Sequence, residues 1–178
     1  LLRAGRRGVV LGGWAGLSAA ALGGAEDEAE LRAYAEGHVL FVGQAPHEWL
    51  FPKCAAIVHH GGAGTTAAAL RAGRPTVITP VWLDQFMFAG FVAKLGVGRA
   101  TAQLAKVCAD DLAGALRECE APEVVRRAAE LGEQLRGEDG AAVAAQAVLD
   151  YAASHIKTGA WRDSGGGTSS GCMPCAKK

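Results

Sequence analysis

Ile57-Val58-His59-His60-Gly61-Gly62-Ala63-Gly64-Thr65-Thr66, followed by the alanine-rich run from Ala67 to Leu70, decides how this chain is read. Two apolar residues and two histidines end a strand, three glycines turn the chain with little side-chain bulk, and two threonines open a helix. That order describes an anion cradle. Glycines let backbone N–H groups approach a ligand closely, and the first amides of a helix lack intrahelical partners and carry the positive end of its dipole. Phosphate is the expected guest. Gly73 stops the helix, and Pro75 forbids its continuation before the next strand.

Outward from the cradle, strands and helices alternate. Gly8 to Leu11 and Val39 to Val42 read as short apolar strands, with a charged surface helix from Glu26 to Glu36 between them. Gln44 to His47 makes a turn, and Glu48 to Pro52 one amphipathic turn leading to Cys54. Thr76 to Pro80 is another buried strand, and Asp84-Gln85 opens a helix that carries Phe88, Phe91, Val92 and Leu95 at helical spacing until Gly96 ends it. Leu104 to Cys119, Pro122 to Arg136 and Ala141 to Lys157 then read as three helices with no strand between them. The expected fold is therefore α/β, a Rossmann-like parallel sheet with helices on both faces and its ligands at the carboxyl ends of the strands. Residues 1–157 form one domain, and 158–178, rich in glycine and serine, form a disordered tail.

Composition narrows the partners. A length of 178 residues, half of them hydrophobic, suits one sizeable core, and eighteen basic residues balance eighteen acidic ones. Neither nucleic acid nor an acidic membrane surface is recommended as a partner. Five scattered cysteines make no secreted disulfide framework, which fits a reduced, cytoplasmic setting. Arg3, Arg6 and Arg7 followed by the uncharged stretch Gly8 to Ala25 raise the question of a signal peptide. Its many glycines and Trp14 are poor material for a continuous apolar helix, and a strand running into a Gly-Gly-Trp-Ala-Gly loop is the better reading. The opening on Leu1 reads as a fragment or an incomplete gene model.

From Val39 to about Ala100 the chain resembles the C-terminal, donor-binding half of GT-B glycosyltransferases, of the kind found in sterol glucosyltransferases and related antibiotic glycosyltransferases. The strings that carry the resemblance are Ala45-Pro46-His47-Glu48-Trp49-Leu50-Phe51-Pro52, the His-His-Gly-Gly-Ala-Gly-Thr-Thr cradle, Gly73-Arg74-Pro75, Asp84-Gln85 and Leu95-Gly96-Val97-Gly98, and Gly12 to Leu17 resembles the family as well. The resemblance implies a UDP-sugar, UDP-glucose first, as co-substrate, with no separate cofactor and no metal. It places His60 on the donor diphosphate, with Gly62, Gly64, Thr65 and Thr66 around it. Asp84 and Gln85 fall on the sugar hydroxyls, the backbone at Ala45 on the uracil edge, and His47 near the ribose. It implies a sterol or another lipophilic acceptor, and an enzyme that is cytoplasmic, with peripheral membrane association left open. Two departures qualify it: Ala68 stands where plant small-molecule relatives carry a ribose-binding glutamate, and Gln44 where they stack uracil on tryptophan. The family's catalytic base lies in an N-terminal acceptor domain that these residues do not include, so no catalytic residue is assigned in this chain and the piece alone is expected to be inactive.

Other readings compete. Gly62-Ala63-Gly64-Thr65-Thr66-Ala67 followed at a distance by Asp84 satisfies a dinucleotide fingerprint, so an NAD(P)-dependent oxidoreductase is the alternative. A non-catalytic nucleotide-sugar-binding fragment is a third. His59 and His60, adjacent on a strand, face opposite ways, which makes His60 the ligand-facing one and disfavours a zinc site built from both. Trp49 and Phe51 read as core anchors, Asp84 could simply cap its helix, and Cys172-Met173-Pro174-Cys175 has redox spacing in the tail.

Overall fold

A computed structural model describes residues 1–13, 16–24 and 26–159. Trp14, Ala15 and the tail pair Cys172 and Cys175 lie outside the described residues, so the loop and tail readings that fall there are not addressed. The chain divides into two units, 1–137 and 138–178.

In the first unit, β1 (Gly8–Leu11) pairs in parallel with β2 (Val39–Val42), Gly8 opposite Val39 and Leu11 opposite Val42. Helix α1 (Glu28–His38) runs directly into β2. A second parallel sheet has the order β3 (Ile57–His59), β4 (Thr76–Ile78), β5 (Gly98–Ala100). Between its strands lie α3 (Ala63–Arg71) and α4 (Gln85–Leu95), preceded by the short α2 (His47–Leu50) and followed by α5 (Ala109–Cys119) and α6 (Pro122–Gly137). In the second unit α7 (Gly140–Tyr151) starts at Asp139, whose side chain accepts from the Ala142 amide, and continues as a π-helical turn over Ala152–Ile156.

Strand β4 explains why the larger sheet is a sheet at all. Thr76, Val77 and Ile78 are all buried. Ile78 packs with Ala89, Val92, Val97 and Ala128 of α4, its C-terminal turn and α6, whereas Val77 packs oppositely with Ala115 and Cys119 of α5. Helices therefore cover both faces, as a parallel sheet requires. A third cluster of Phe51, Ile57 and Ala69 seats α3 against β3. Gly132 of α6 lets that helix cross the turn after α3: a Cβ there would lie 2.5 Å from the Gly73 Cα.

Three details differ from the sequence expectation. Strand β5 was not anticipated; it is short and carries Arg99 between small residues, and it exists because Gly98 admits the neighbouring strand, a Cβ at that position falling 1.9 Å from the Thr76 carbonyl oxygen. Helix α5 begins at Ala109 instead of Leu104, because the Leu104 amide is drawn to the Pro80 carbonyl and Cys108 caps the helix in a reciprocal box with Asp111. Cysteine is outside the usual N-cap set, which hid that start. Trp49 is no core anchor: it is exposed with Lys53 Nζ over its ring at 4.5 Å, while Phe51 is buried as expected.

Candidate functional site

The cradle forms where β3 ends. Gly61 has φ +94, a conformation open to glycine, and its Cα faces the next strand so closely that a Cβ would meet Ile78 Cγ2 at 2.7 Å and the Gln85 carbonyl at 3.2 Å. This contact brings the glycine turn against the start of α4. Helix α3 follows with Gly62 at its N-cap and no side chain capping it. The amides of Ala63, Gly64 and Thr65 consequently lack intrahelical acceptors and point out of the helix end. Gly64 is exposed, and a Cβ built on it would meet nothing within 4 Å, so the space beside this residue is open. Among the described residues the Thr65 hydroxyl has no hydrogen-bond partner. Thr66 is different: it is buried, and its hydroxyl donates to the Gly62 carbonyl at 2.9 Å, so it secures the cradle from behind instead of reaching its mouth.

The two histidines lie in different surroundings, one exposed and one partly buried. His60 is exposed with its ring over Gly62, where a Cβ would sit 2.5 Å from His60 Nε2. His59 is partly buried, and its Nδ1 accepts from the Gly61 amide at 3.0 Å. Burial first, then the charges of His60 and His47, push its pKa down to about 4. The ring is therefore neutral near pH 7, with the proton on Nε2, because Nδ1 is already an acceptor. That Nε2 is buried and has no partner among the described residues. Thr79, whose amide donates to the His59 carbonyl at 2.9 Å, also has a buried hydroxyl without a partner. Buried polar groups are rarely left this way unless something else completes them. Sequence reading missed both; the signal for Thr79 was its place at the carboxyl end of β4, where such sheets bind ligands. His47, stacked on Phe51 at 4.4 Å between ring centroids, lies close enough for its charge to act on His59, while Ala45 sits partly buried in the loop ahead of it.

Asp84 precedes α4 at its N-cap, yet its side chain makes no capping bond, so the carboxylate is exposed and unspent. Gln85 is 8% exposed, and its Oε1 accepts from the amides of Val81 and Trp82 at 2.7 and 3.2 Å. The amide group of Gln85 can thus donate through Nε2 but has no acceptor left to offer. In a dinucleotide fold the ribose-binding acid belongs at the strand tip; β4 ends at Ile78, and Asp84 stands at the start of the following helix.

Solved structures that share this arrangement are GT-B glycosyltransferases, and the fold assigns the chain to the C-terminal half of that class. A glycotransferase of kitacinnamycin superposes with TM-score 0.57 at 29% identity, covering 64% of this chain and 29% of its own. The glycosyltransferase VinC, solved in complex with DTDP, gives 0.54 at 32% identity, covering 63% and 28%. Residues 24–150 match the family described as erythromycin biosynthesis protein CIII-like, C-terminal domain, and the chain belongs to it. Similar sequences include a sterol 3-beta-glucosyltransferase of Arabidopsis thaliana, 40% identical over 142 residues, and one of Saccharomyces cerevisiae, 46% identical over 121. Those stretches are 80% and 66% of this chain but only 21% and 10% of the relatives. Among the described residues, no helix is long and apolar enough to cross a membrane.

Proposed function

We propose that this domain binds the nucleotide-sugar donor, UDP-glucose in the first instance, for a glycosyltransferase that modifies a hydroxyl of a sterol or another lipophilic alcohol. The observation that carries the proposal is the contact between Gly61 and Gln85. It brings the glycine turn, with its uncapped amides and the His60 imidazole, against the start of α4, where the Asp84 carboxylate is free, so that a diphosphate and the sugar attached to it meet different chemistry within one small site. A nucleoside diphosphate is the ligand class named for VinC, which supports the same class here.

In this reading the amides of Ala63, Gly64 and Thr65 and the imidazole of His60 donate to phosphate oxygens. Charge grows on those oxygens as the bond from the anomeric carbon to the β-phosphate breaks, so donors already in place stabilise the leaving UDP more than the bound donor. Asp84 accepts from sugar hydroxyls, and Gln85 Nε2 donates to them. Ala45 and His47 lie on the side assigned to uracil and ribose. The acceptor oxygen forms the new bond from the opposite side of the anomeric carbon, with inversion, and gives its proton to a base that we place in the acceptor half of the longer enzyme. The sterol names of the relatives support the acceptor class.

Calorimetry with UDP and UDP-glucose tests the assignment. His60→Ala is expected to weaken both ligands, whereas Asp84→Asn weakens UDP-glucose more than UDP. Unchanged UDP affinity in His60→Ala removes that residue from the phosphate site, and equal losses in Asp84→Asn remove its sugar-reading role.

A further inference from the structure

The turn that enters α4 presents an apolar surface with no partner of its own. Trp82 and Leu83 are 63% and 70% exposed, and Phe86 and Met87 are about half exposed. This surface is held still. Gln85 Oε1 accepts from the amides of Val81 and Trp82, Gln103 Nε2 donates to the Val81 carbonyl, and Leu104 donates to the Pro80 carbonyl. Leu83 has φ +53, a conformation in which a branched side chain is strained and which persists only where the surroundings impose it. The outcome is a set of large side chains displayed on a pinned backbone, on either side of Asp84.

We infer that this turn receives the apolar body of the acceptor alcohol, with Trp82, Leu83, Phe86 and Met87 as the contact residues. The inference rests on the proposed donor site. If Asp84 and Gln85 hold the transferred sugar, the acceptor oxygen must come within bonding reach of that sugar, and the molecule attached to it must pass next to their chain neighbours. The surface flanks Asp84 and Gln85 in the chain and is displayed before any ligand arrives, as small-molecule sites are. Its charge also selects the occupant: from Val81 to Ala93 the single charged residue is Asp84. A face meant for an anionic bilayer would carry lysine or arginine at its rim, whereas a neutral, rigid, hydroxyl-bearing molecule asks for none.

The test is a titration of the ¹⁵N-labelled 178-residue chain, followed by amide chemical shifts, with UDP and with the soluble 3β-hydroxysteroid dehydroepiandrosterone. UDP is expected to move amides of 59–66, and the steroid those of 81–87 together with the Trp82 indole N–H. In Trp82→Ser/Leu83→Gly the steroid concentration at half-maximal shift should rise about tenfold, with UDP affinity unchanged. Glycine at 83 keeps the left-handed backbone, and the spectrum itself reports whether the variant is folded. UDP binding without steroid shifts at 81–87 overturns the acceptor assignment and leaves the donor site standing. Absence of UDP shifts overturns the donor reading beneath it. Phosphatidylcholine vesicles broadening the same amides without steroid make this a membrane face, and movement of those amides on dilution makes it a self-association face; either result overturns the assignment.

Discussion

Gly61 and Gly64 stand three residues apart, and the structure requires opposite outcomes when alanine replaces each. At Gly61 the backbone has φ +94 and the added Cβ lands 2.7 Å from Ile78 Cγ2, at the centre of the core beneath the site. The unfavourable dihedral and the overpacking each contribute about 1–3 kcal/mol. Their sum, about 2–6 kcal/mol, is a large share of the stability of a domain this size. At Gly64 the residue is helical and the added Cβ meets nothing within 4 Å. Replacing glycine by alanine in a helix stabilises by about 0.5–1 kcal/mol. With a urea m-value of about 2 kcal/mol/M, the unfolding midpoint should fall by about 1 M or more in Gly61→Ala and rise by about 0.3–0.5 M in Gly64→Ala. The new methyl at 64 nevertheless stands on the first turn that carries the free amides, so UDP affinity should drop in the more stable protein if the diphosphate packs closely on that turn. Urea unfolding by circular dichroism, with calorimetry on the same samples, checks both arms. A Gly64→Ala protein that binds UDP as the wild type does would refute an anion seated on the α3 amides, whatever its stability.

Two further outcomes follow from buried titratable groups. The folded pKa of His59 is about 4, below its ordinary value of 6.5, so between those values the unfolded chain holds more protons than the folded one. Stability should therefore be full above pH 6.5, fall as the pH drops towards 4 by up to about 3 kcal/mol, and level off below. His59→Gln should remove most of that slope in urea titrations, and an identical slope in both proteins would show that the folded ring titrates normally. Among the described cysteines, burial pushes the Cys119 thiol up to about 11 and raises that of Cys54, while Cys108 is exposed. Iodoacetamide at pH 8 should alkylate Cys108 before Cys54 and leave Cys119 untouched until urea unfolds the chain, as read by peptide mass spectrometry; early loss of Cys119 would contradict its burial against β4.

Much of the architecture, and where a candidate site would fall on it, could be read from the residues alone. Alternating apolar strands and capped helices determine an α/β fold because parallel strands need both faces covered. The run from Ile57 to Thr66 determines an uncapped helix N-terminus, since glycines in that order leave its amides bare. These are local properties, carried by neighbours in the chain. Tertiary structure decided what depends on residues far apart in it. Strand β5 has almost no apolar pattern and exists because Gly98 lets the Thr76 carbonyl approach. Thr66 turned inward to the Gly62 carbonyl, and Asp84 kept its carboxylate free where a cap was equally readable. The state of His59 is the sharpest case, because strand alternation sets two adjacent histidines facing apart, with His60 read toward the ligand, but does not say that the His59 ring is held neutral and left with an unanswered donor. Burial and electrostatics are sums over everything that packs around a group, and that sum exists only once β3, β4 and the start of α4 have come together.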